Sequence, residues 1–392
     1  MQTVRTGLQV LQGKQWSKLR GQRVGAIVNP TSVDGDFRHL ADLLAGSGAT
    51  LSALFGPEHG VRGEAQYMEA VDAAKDPRTG VPVHSLYGHT FESLSPRPEW
   101  LTGLDALIFD IQDVGSRYYT YVYTMALAMK AAAKAQIPFW VLDRPNPLNG
   151  EQLEGNLLGE RYRSFVGLYA LCNRHGMTAG ELARMFNTQE GFGCELTVVP
   201  CEGWRRAQFW SDTGLPFIPP SPNMPTADTA LVYPGMCLLE GTNISEGRGT
   251  CRPFELFGAP WLDANEVVER LTREALPGVK FRAAGFTPTF DKYRGTSCSG
   301  AMIHVTDRRA FLPLRTAIAI VKVARELGGE RFAWRADAYE FVEDIPAFDL
   351  LCGTDAVRVG LEAGQPVERL MAGFAADEAR FREQRAQHLL YE

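Results

Sequence analysis

Residues 51–66, LSALFGPEHGVRGEAQ, decide the reading of this chain. They open as an apolar run of strand length and break at Gly56-Pro57, which sets Glu58-His59 at the carboxyl end of a strand. Ligands of open α/β sheets bind in the crevice at that end. Three further apolar runs finish in the same manner. Residues 23–28 (RVGAIV) run into Asn29-Pro30-Thr31, 104–109 (LDALIF) into Asp110-Ile111-Gln112-Asp113, and 138–142 (PFWVL) into Asp143-Arg144-Pro145-Asn146-Pro147. Shorter extended pieces are expected at 81–86 and 195–199. Helices are expected at 37–45, 118–135 and 179–187, the last opened by a capping box of Thr178 and Glu181. Strands alternating with helices predict an α/β, Rossmann-like, doubly wound and mostly parallel sheet.

The first domain is expected to end near Gly203, giving residues 1–203 as the catalytic domain. Residues 204–260 are rich in Pro and Gly and read as a loop layer lying against it. Beyond them come a helix (262–276), strands (279–286, 301–305), a helix (312–327) and a C-terminal helix from Pro366. Residues 204–392 are therefore expected to form an auxiliary α+β domain closing the cleft.

Composition excludes several classes of function. The chain has 392 residues, 45% hydrophobic and 22% charged, enough for two domains with substantial cores. A formal charge of −6 without any Lys/Arg block argues against nucleic acid or an acidic membrane surface as partner. No apolar run approaches the ~20 residues of a spanning helix. The start, MQTVRTGLQVLQGKQW, lacks the apolar core of a signal peptide, so a cytoplasmic location is expected. Cys172, Cys194, Cys201, Cys237, Cys251, Cys298 and Cys352 show no CxxC spacing and read as reduced, mostly buried thiols. Neither a metal nor a cofactor is expected, since HExxH, GxGxxG after a strand and GxxxxGK[ST] are all absent.

Among the strand-end residues, Glu58 beside His59, flanked by glycines, suits general acid or base work if burial raises its pKa. The plainer account is a loop carboxylate paired with Arg62. Asp110 has the position to activate water or hold a sugar hydroxyl, whereas Asp113 has the look of a helix cap. Arg117 and the tyrosines that follow offer hydrogen bonds and ring faces, or ordinary packing. Asp143 and Arg144 stand in a proline-stiffened loop suited to a carboxylate ligand, or form a surface turn. Residues 240–250, EGTNISEGRGT, are too small and polar to build a core and point to ligand binding through Glu240, Asn243, Glu246 and Arg248.

Taken together, Gly56-Pro57-Glu58-His59-Gly60, residues 109–115 (FDIQDVG), 143–147 (DRPNP), 220–225 (PSPNMP), 240–250, Pro253-Phe254-Glu255, 258–261 (GAPW) and 389–391 (LLY) closely resemble the NamZ-type exo-β-N-acetylmuramidases. The resemblance covers nearly the whole chain. It implies a Rossmann-like domain joined to an auxiliary domain, with the site in the cleft between them. It also implies hydrolysis releasing N-acetylmuramic acid from the non-reducing end of peptidoglycan fragments, which would be the partner of the protein. Two departures stand out: many relatives carry a secretion signal, and Val61 replaces the aromatic residue usual in the family loop.

Glycoside hydrolysis usually uses two carboxyl groups, roughly 5 Å apart for retention or 6.5–9.5 Å for inversion. Glu58 is expected to be one. The other is open among Glu64, Asp110, Asp113, Glu240 and Glu246, with Asp110 and Glu246 grouped with Glu58 as catalytic. His59, Arg62, Asp113, Arg117, Asp143, Arg144, Asn223, Glu240, Asn243 and Arg248 are expected to bind substrate, and Arg62, Arg117, Arg144 and Arg248 are candidates for the lactyl carboxylate. The main rival is a non-catalytic sugar-binding protein on the same cleft. A nucleotide-dependent enzyme is suggested by fold analogy alone.

Overall fold

The computed structural model describes residues 3–14, 16–62, 74–88 and 90–392; Glu64 lies outside these. Strands β1 (Arg23–Val28), β2 (Thr50–Gly56), β3 (Ala74–Lys75), β4 (Pro82–Ser85), β5 (Ala106–Asp110), β6 (Phe139–Leu142) and β7 (Leu196–Val199) form one sheet in the order β3-β4-β2-β1-β5-β6-β7. All neighbouring pairs are parallel except β3 with β4. The strand order reverses between β1 and β5, the switch point at which α/β sheets open a crevice.

Burial on both faces explains the near-continuous apolar strands. In β5, Leu107 and Phe109 join one core cluster while Ala106 and Ile108 join the cluster on the opposite face, with Val24, Ala26 and Val28 of β1. The first of these clusters does not stop at the sheet. It continues through Tyr233, Phe254 and Phe257 to Ile318, Phe348 and Phe381, so the two halves of the chain share one apolar interior. The second half contains an antiparallel sheet, β8 (Leu256–Ala259), β9 (Val279–Phe286) and β10 (Cys298–Val305), in the order β8-β10-β9.

The expected α/β sheet and α+β second part are both present. The helix Ala179–Gln189 starts with the capping box, Thr178 Oγ1 accepting from the Glu181 N–H. Two helices start later than expected, at Leu40 and Tyr121. The stretch read as a loop layer contains the helix Ala227–Met236 and strand β8. That helix is buried all round from Thr229 to Met236 and carries Pro234, so it has neither a polar face nor a clean helical composition to reveal it. Residues 220–225 do lie on the first sheet, with Asn29 Nδ2 and the Tyr121 hydroxyl donating to Pro220 O at 3.2 and 2.7 Å.

Several expected ligand residues serve the architecture. Arg117 is fully buried and donates to four carbonyls: Asn156 and Leu171 at 2.7 and 2.8 Å, Leu351 and Cys352 at 3.0 and 2.7 Å. These carbonyl dipoles take the place of an anion, and Gly353 leaves the room, since a Cβ there would sit 2.7 Å from Nη2. Asp110 and Arg144 form a bidentate pair at 2.6 and 3.0 Å beneath the strand ends. Asp143 accepts from Thr178, Gly180 and the Tyr391 hydroxyl, fastening the C-terminus to the sheet.

Replacing Arg117 with Met removes the donors of four buried carbonyls. Such a loss costs about 3 kcal/mol or more. The variant is expected to melt several degrees below the wild type in a calorimetric scan, and an unchanged Tm would remove the clamp from the account.

Candidate active site

The chain turns sharply after β2. Gly60 N–H bonds back to Pro57 O at 3.0 Å, and both His59 and Gly60 have positive φ, at 72° and 79°. A non-glycine residue in that region is strained, and the turn it helps to form leaves Glu58 on the lining of a pocket. The first half of the chain supplies Glu58, His59, Tyr118, Tyr119, Thr120, Tyr121 and Val166 to the lining. Ser221, Asn223, Met224, Tyr233, Glu240, Arg248, Phe254, Tyr339 and Glu340 complete it. Tyrosine rings close the walls, Tyr119 packing edge-on to both Tyr121 and Tyr233 at 5.0 and 5.6 Å.

Among the described residues, three carboxyl groups meet there in different electrostatic states. Glu58, with 22% of its side chain exposed, is pushed up to about 7, mainly by burial, with the Arg248 charge opposing and Glu240 adding to the shift. His59 Nε2 lies 3.7 Å from its Oε1. Glu340 is pushed up to about 8 by burial and by the charges of Glu58 and Glu240. Glu240 goes the other way: against the cost of burial, Arg248 Nη2 at 2.7 Å and the Tyr339 hydroxyl at 2.8 Å hold it below the usual carboxylate range. Environments that push neighbouring carboxyl groups apart in this way separate an acid from an ionised partner.

Glu340 sits at the tip of a two-residue hairpin. Tyr339 and Val342 exchange both backbone hydrogen bonds, and Glu340 and Phe341 both have positive φ, 47° and 69°. Turns of this geometry favour Asn and Gly. Two bulky residues here store strain at the pocket rim, and no Asn-Gly signature marked the position in the sequence.

Of the residues expected from sequence, Glu58, His59, Asn223, Glu240 and Arg248 are brought together. Glu246, grouped as catalytic, stands behind them, 2% exposed, with Lys292 Nζ at 2.9 Å and Arg248 Nε at 3.3 Å. Asp110, also grouped as catalytic, is 0% exposed and spent on Arg144, so neither it nor Arg144 lines the pocket. Asp113 accepts from Gly115 N–H at 2.8 Å and lies 3.4 Å from His175, both within the fold. Arg62 pairs with Asp76 and Asp42 at 2.6 and 2.8 Å, outside the pocket. Asn243 ties the chain to Arg331 O and Ala333 N–H. Arg117 and Asp143 are the architectural residues described above. Val61 is buried in the same core cluster as Leu40 and Leu54 and does not line the pocket, so its substitution removes no surface there. Tyr233, Phe254, Tyr339 and Glu340 were missed. The cysteines are free, all buried except Cys251, and among the described residues no cluster suited to a metal ion is found.

Because the folded Glu58 binds its proton more tightly than the unfolded one, at about 7 against 4.5, the wild type loses stability as pH rises through that window. Glu58→Gln carries no charge to lose. The variant and wild type should melt together below pH 4, and above pH 7 the variant should be more stable by on the order of 1–3 kcal/mol. A difference independent of pH, in parallel melting curves, would show that Glu58 is not held neutral.

Comparisons with known proteins bear on this site. Family models described as "Exo-beta-N-acetylmuramidase NamZ, N-terminal" and "Exo-beta-N-acetylmuramidase NamZ, C-terminal" match residues 24–228 and 231–391. The peptidoglycan beta-N-acetylmuramidase NamZ of Bacillus subtilis (strain 168) is 46% identical over 389 residues, 99% of this chain and 91% of that protein. Two crystal structures of DUF1343 family proteins from Bacteroides fragilis NCTC 9343 superpose with TM-scores of 0.90 and 0.79, at 35% and 31% identity. Each covers 100% of this chain and 99% of its own.

Proposed function

The chain belongs to the NamZ exo-β-N-acetylmuramidase family, and from that premise we propose that it releases N-acetylmuramic acid from the non-reducing end of peptidoglycan fragments with Glu58 as general acid. The observation that carries the assignment is a carboxyl group poised near neutrality in a pocket that also holds an ionised one. Glu58 gives its proton to the departing glycosidic oxygen as the bond to the anomeric carbon breaks. Glu240, kept ionised by Arg248 and Tyr339, stabilises the positive charge that develops on the sugar; it or the substrate's own acetamido oxygen bonds to the anomeric carbon as the leaving group departs, and water, giving a proton back to Glu58, then breaks that bond to free N-acetylmuramic acid. A protein that only binds sugar has no use for a proton donor tuned in this way.

The charge balance suits an acidic sugar. Arg248 and Lys292 offset Glu240 and Glu246, while Glu58 and Glu340 are neutral near pH 6. A lactyl carboxylate then meets no net negative field, and Arg248, the one of the four candidate arginines that lines the pocket, is its cation. The division of labour forms part of the proposal: residues 1–203 supply the acid, and residues 204–392 close the cleft with Asn223, Glu240, Arg248 and Glu340. So does a cytoplasmic location, supported by seven thiols free of disulfides.

The test is release of N-acetylmuramic acid from a MurNAc-GlcNAc disaccharide, with a GlcNAc-GlcNAc disaccharide alongside. The expected result is turnover of the muramic compound alone and a loss of 10²-fold or more in kcat for Glu58→Gln, in keeping with general acid catalysis. Equal turnover of both disaccharides would contradict the charge argument, and a fully active variant would remove Glu58 from the chemistry.

A further inference from the structure

Beside the charged pocket a second hollow opens, and the two share Asn223. The rest of its lining includes Pro222, Pro225, Thr250, Pro253 and Phe290, and among the described residues that line it none carries a charge. Phe290 is 42% exposed, an unusual outlay of apolar surface. The backbone that carries it is anchored on both sides. The loop between β9 and β10 that carries it is pinned by Thr289, whose N–H and hydroxyl both donate to Gly249 O at 2.9 Å, and by Lys292, whose Nζ donates to Leu239 O and Ile244 O at 2.8 and 3.1 Å. Gly249, at φ 76°, allows the approach, since a Cβ there would lie 2.7 Å from Phe290 N. The Asn223 carboxamide makes no hydrogen bond among the described residues, so its donor and acceptor are available where the two spaces join.

Resting on the reading above, we propose that this hollow is the subsite for the sugar on the reducing-end side of the scissile bond, an uncharged N-acetylated pyranose lying on Phe290 and hydrogen-bonded by Asn223. The partition of charge carries the inference. The acidic sugar belongs where Arg248 and the carboxyl groups are, and its neutral neighbour belongs where there is no charge to desolvate. An aromatic ring on an anchored backbone meets the apolar face of a pyranose ring with less ordering cost than one on a free loop.

The test compares Phe290→Ala and Phe290→Trp with the wild type on MurNAc-GlcNAc, and measures inhibition by free N-acetylmuramic acid in each. The alanine variant is expected to raise KM roughly five- to tenfold, the loss of one aromatic stacking contact. The inhibition constant of N-acetylmuramic acid should stay within about twofold, and the tryptophan variant should restore KM. An unchanged KM in the alanine variant would overturn the proposal. So would a parallel rise in the inhibition constant, which would mean that the loop merely props Arg248. Saturation-transfer NMR with free N-acetylglucosamine, wild type against Phe290→Ala, reads the hollow without turnover. If the wild type released no N-acetylmuramic acid, the catalytic reading would fail, while loss of the N-acetylglucosamine signal in the variant would still uphold the subsite and its persistence would refute it.

Discussion

A guanidinium buried without a carboxylate holds this molecule in its working shape. Arg117 reaches from the end of the β5 crossover to carbonyls of residues 156 and 171 on one side and 351 and 352 on the other. The residues that follow it, Tyr118 to Tyr121, form one wall of the pocket. Fixing Arg117 therefore fixes the wall against the C-terminal part of the chain, which contributes Tyr339 and Glu340 to the opposite side. The charge is expensive to bury, and only convergent carbonyl dipoles at hydrogen-bond distance make it tolerable. Such a clamp is intolerant of slippage, because any sliding of the two halves would leave both the cation and the carbonyls without partners.

Rigidity of this kind is what the proposed chemistry needs. Glu58 keeps its proton up to about pH 7 because the pocket buries it, and Glu240 is ionised because the second half of the chain brings Arg248 and Tyr339 to it. Opening the cleft would let water solvate both carboxyl groups and bring their proton affinities together. Acid and ionised partner would then cease to differ. The strained backbone at His59, Glu340 and Phe341 belongs to the same economy: sparsely populated conformations persist at the pocket because the surrounding packing over-determines them.

The sheet was legible from sequence because strands buried on both faces leave uninterrupted apolar runs, and Thr178 with Glu181 marked a helix start unambiguously. The helix Ala227–Met236 was not, since burial on every side erases the amphipathic period and Pro234 argues against helix. Glu58, Asn223, Glu240 and Arg248, which line the pocket, stood out in the sequence because each lies in a loop too polar or too rich in Gly and Pro to be explained by packing. The same criterion also picked out Asp110, Asp143, Arg144 and Arg117, which lie away from the pocket. A polar residue at a strand end looks alike whether it faces a ligand or binds a neighbouring loop, and only the partner decides. For Asp110 the partner is Arg144, and for Asp143 it is Tyr391, at the far end of the chain. Glu340 was hidden for the converse reason, as its turn lacks the residues that announce such turns.

The central claim is that Glu58 holds a proton at the pH where a solvent-exposed glutamate would have lost it. Difference infrared spectroscopy between the wild type and Glu58→Gln, followed from pH 5 to pH 9, observes that proton through the carbonyl stretch of the carboxylic acid. The account predicts a protonated-acid band that is full at pH 5 and titrates away near pH 7. A Glu58 already fully ionised at pH 5 would contradict it, and with it the assignment of the acid.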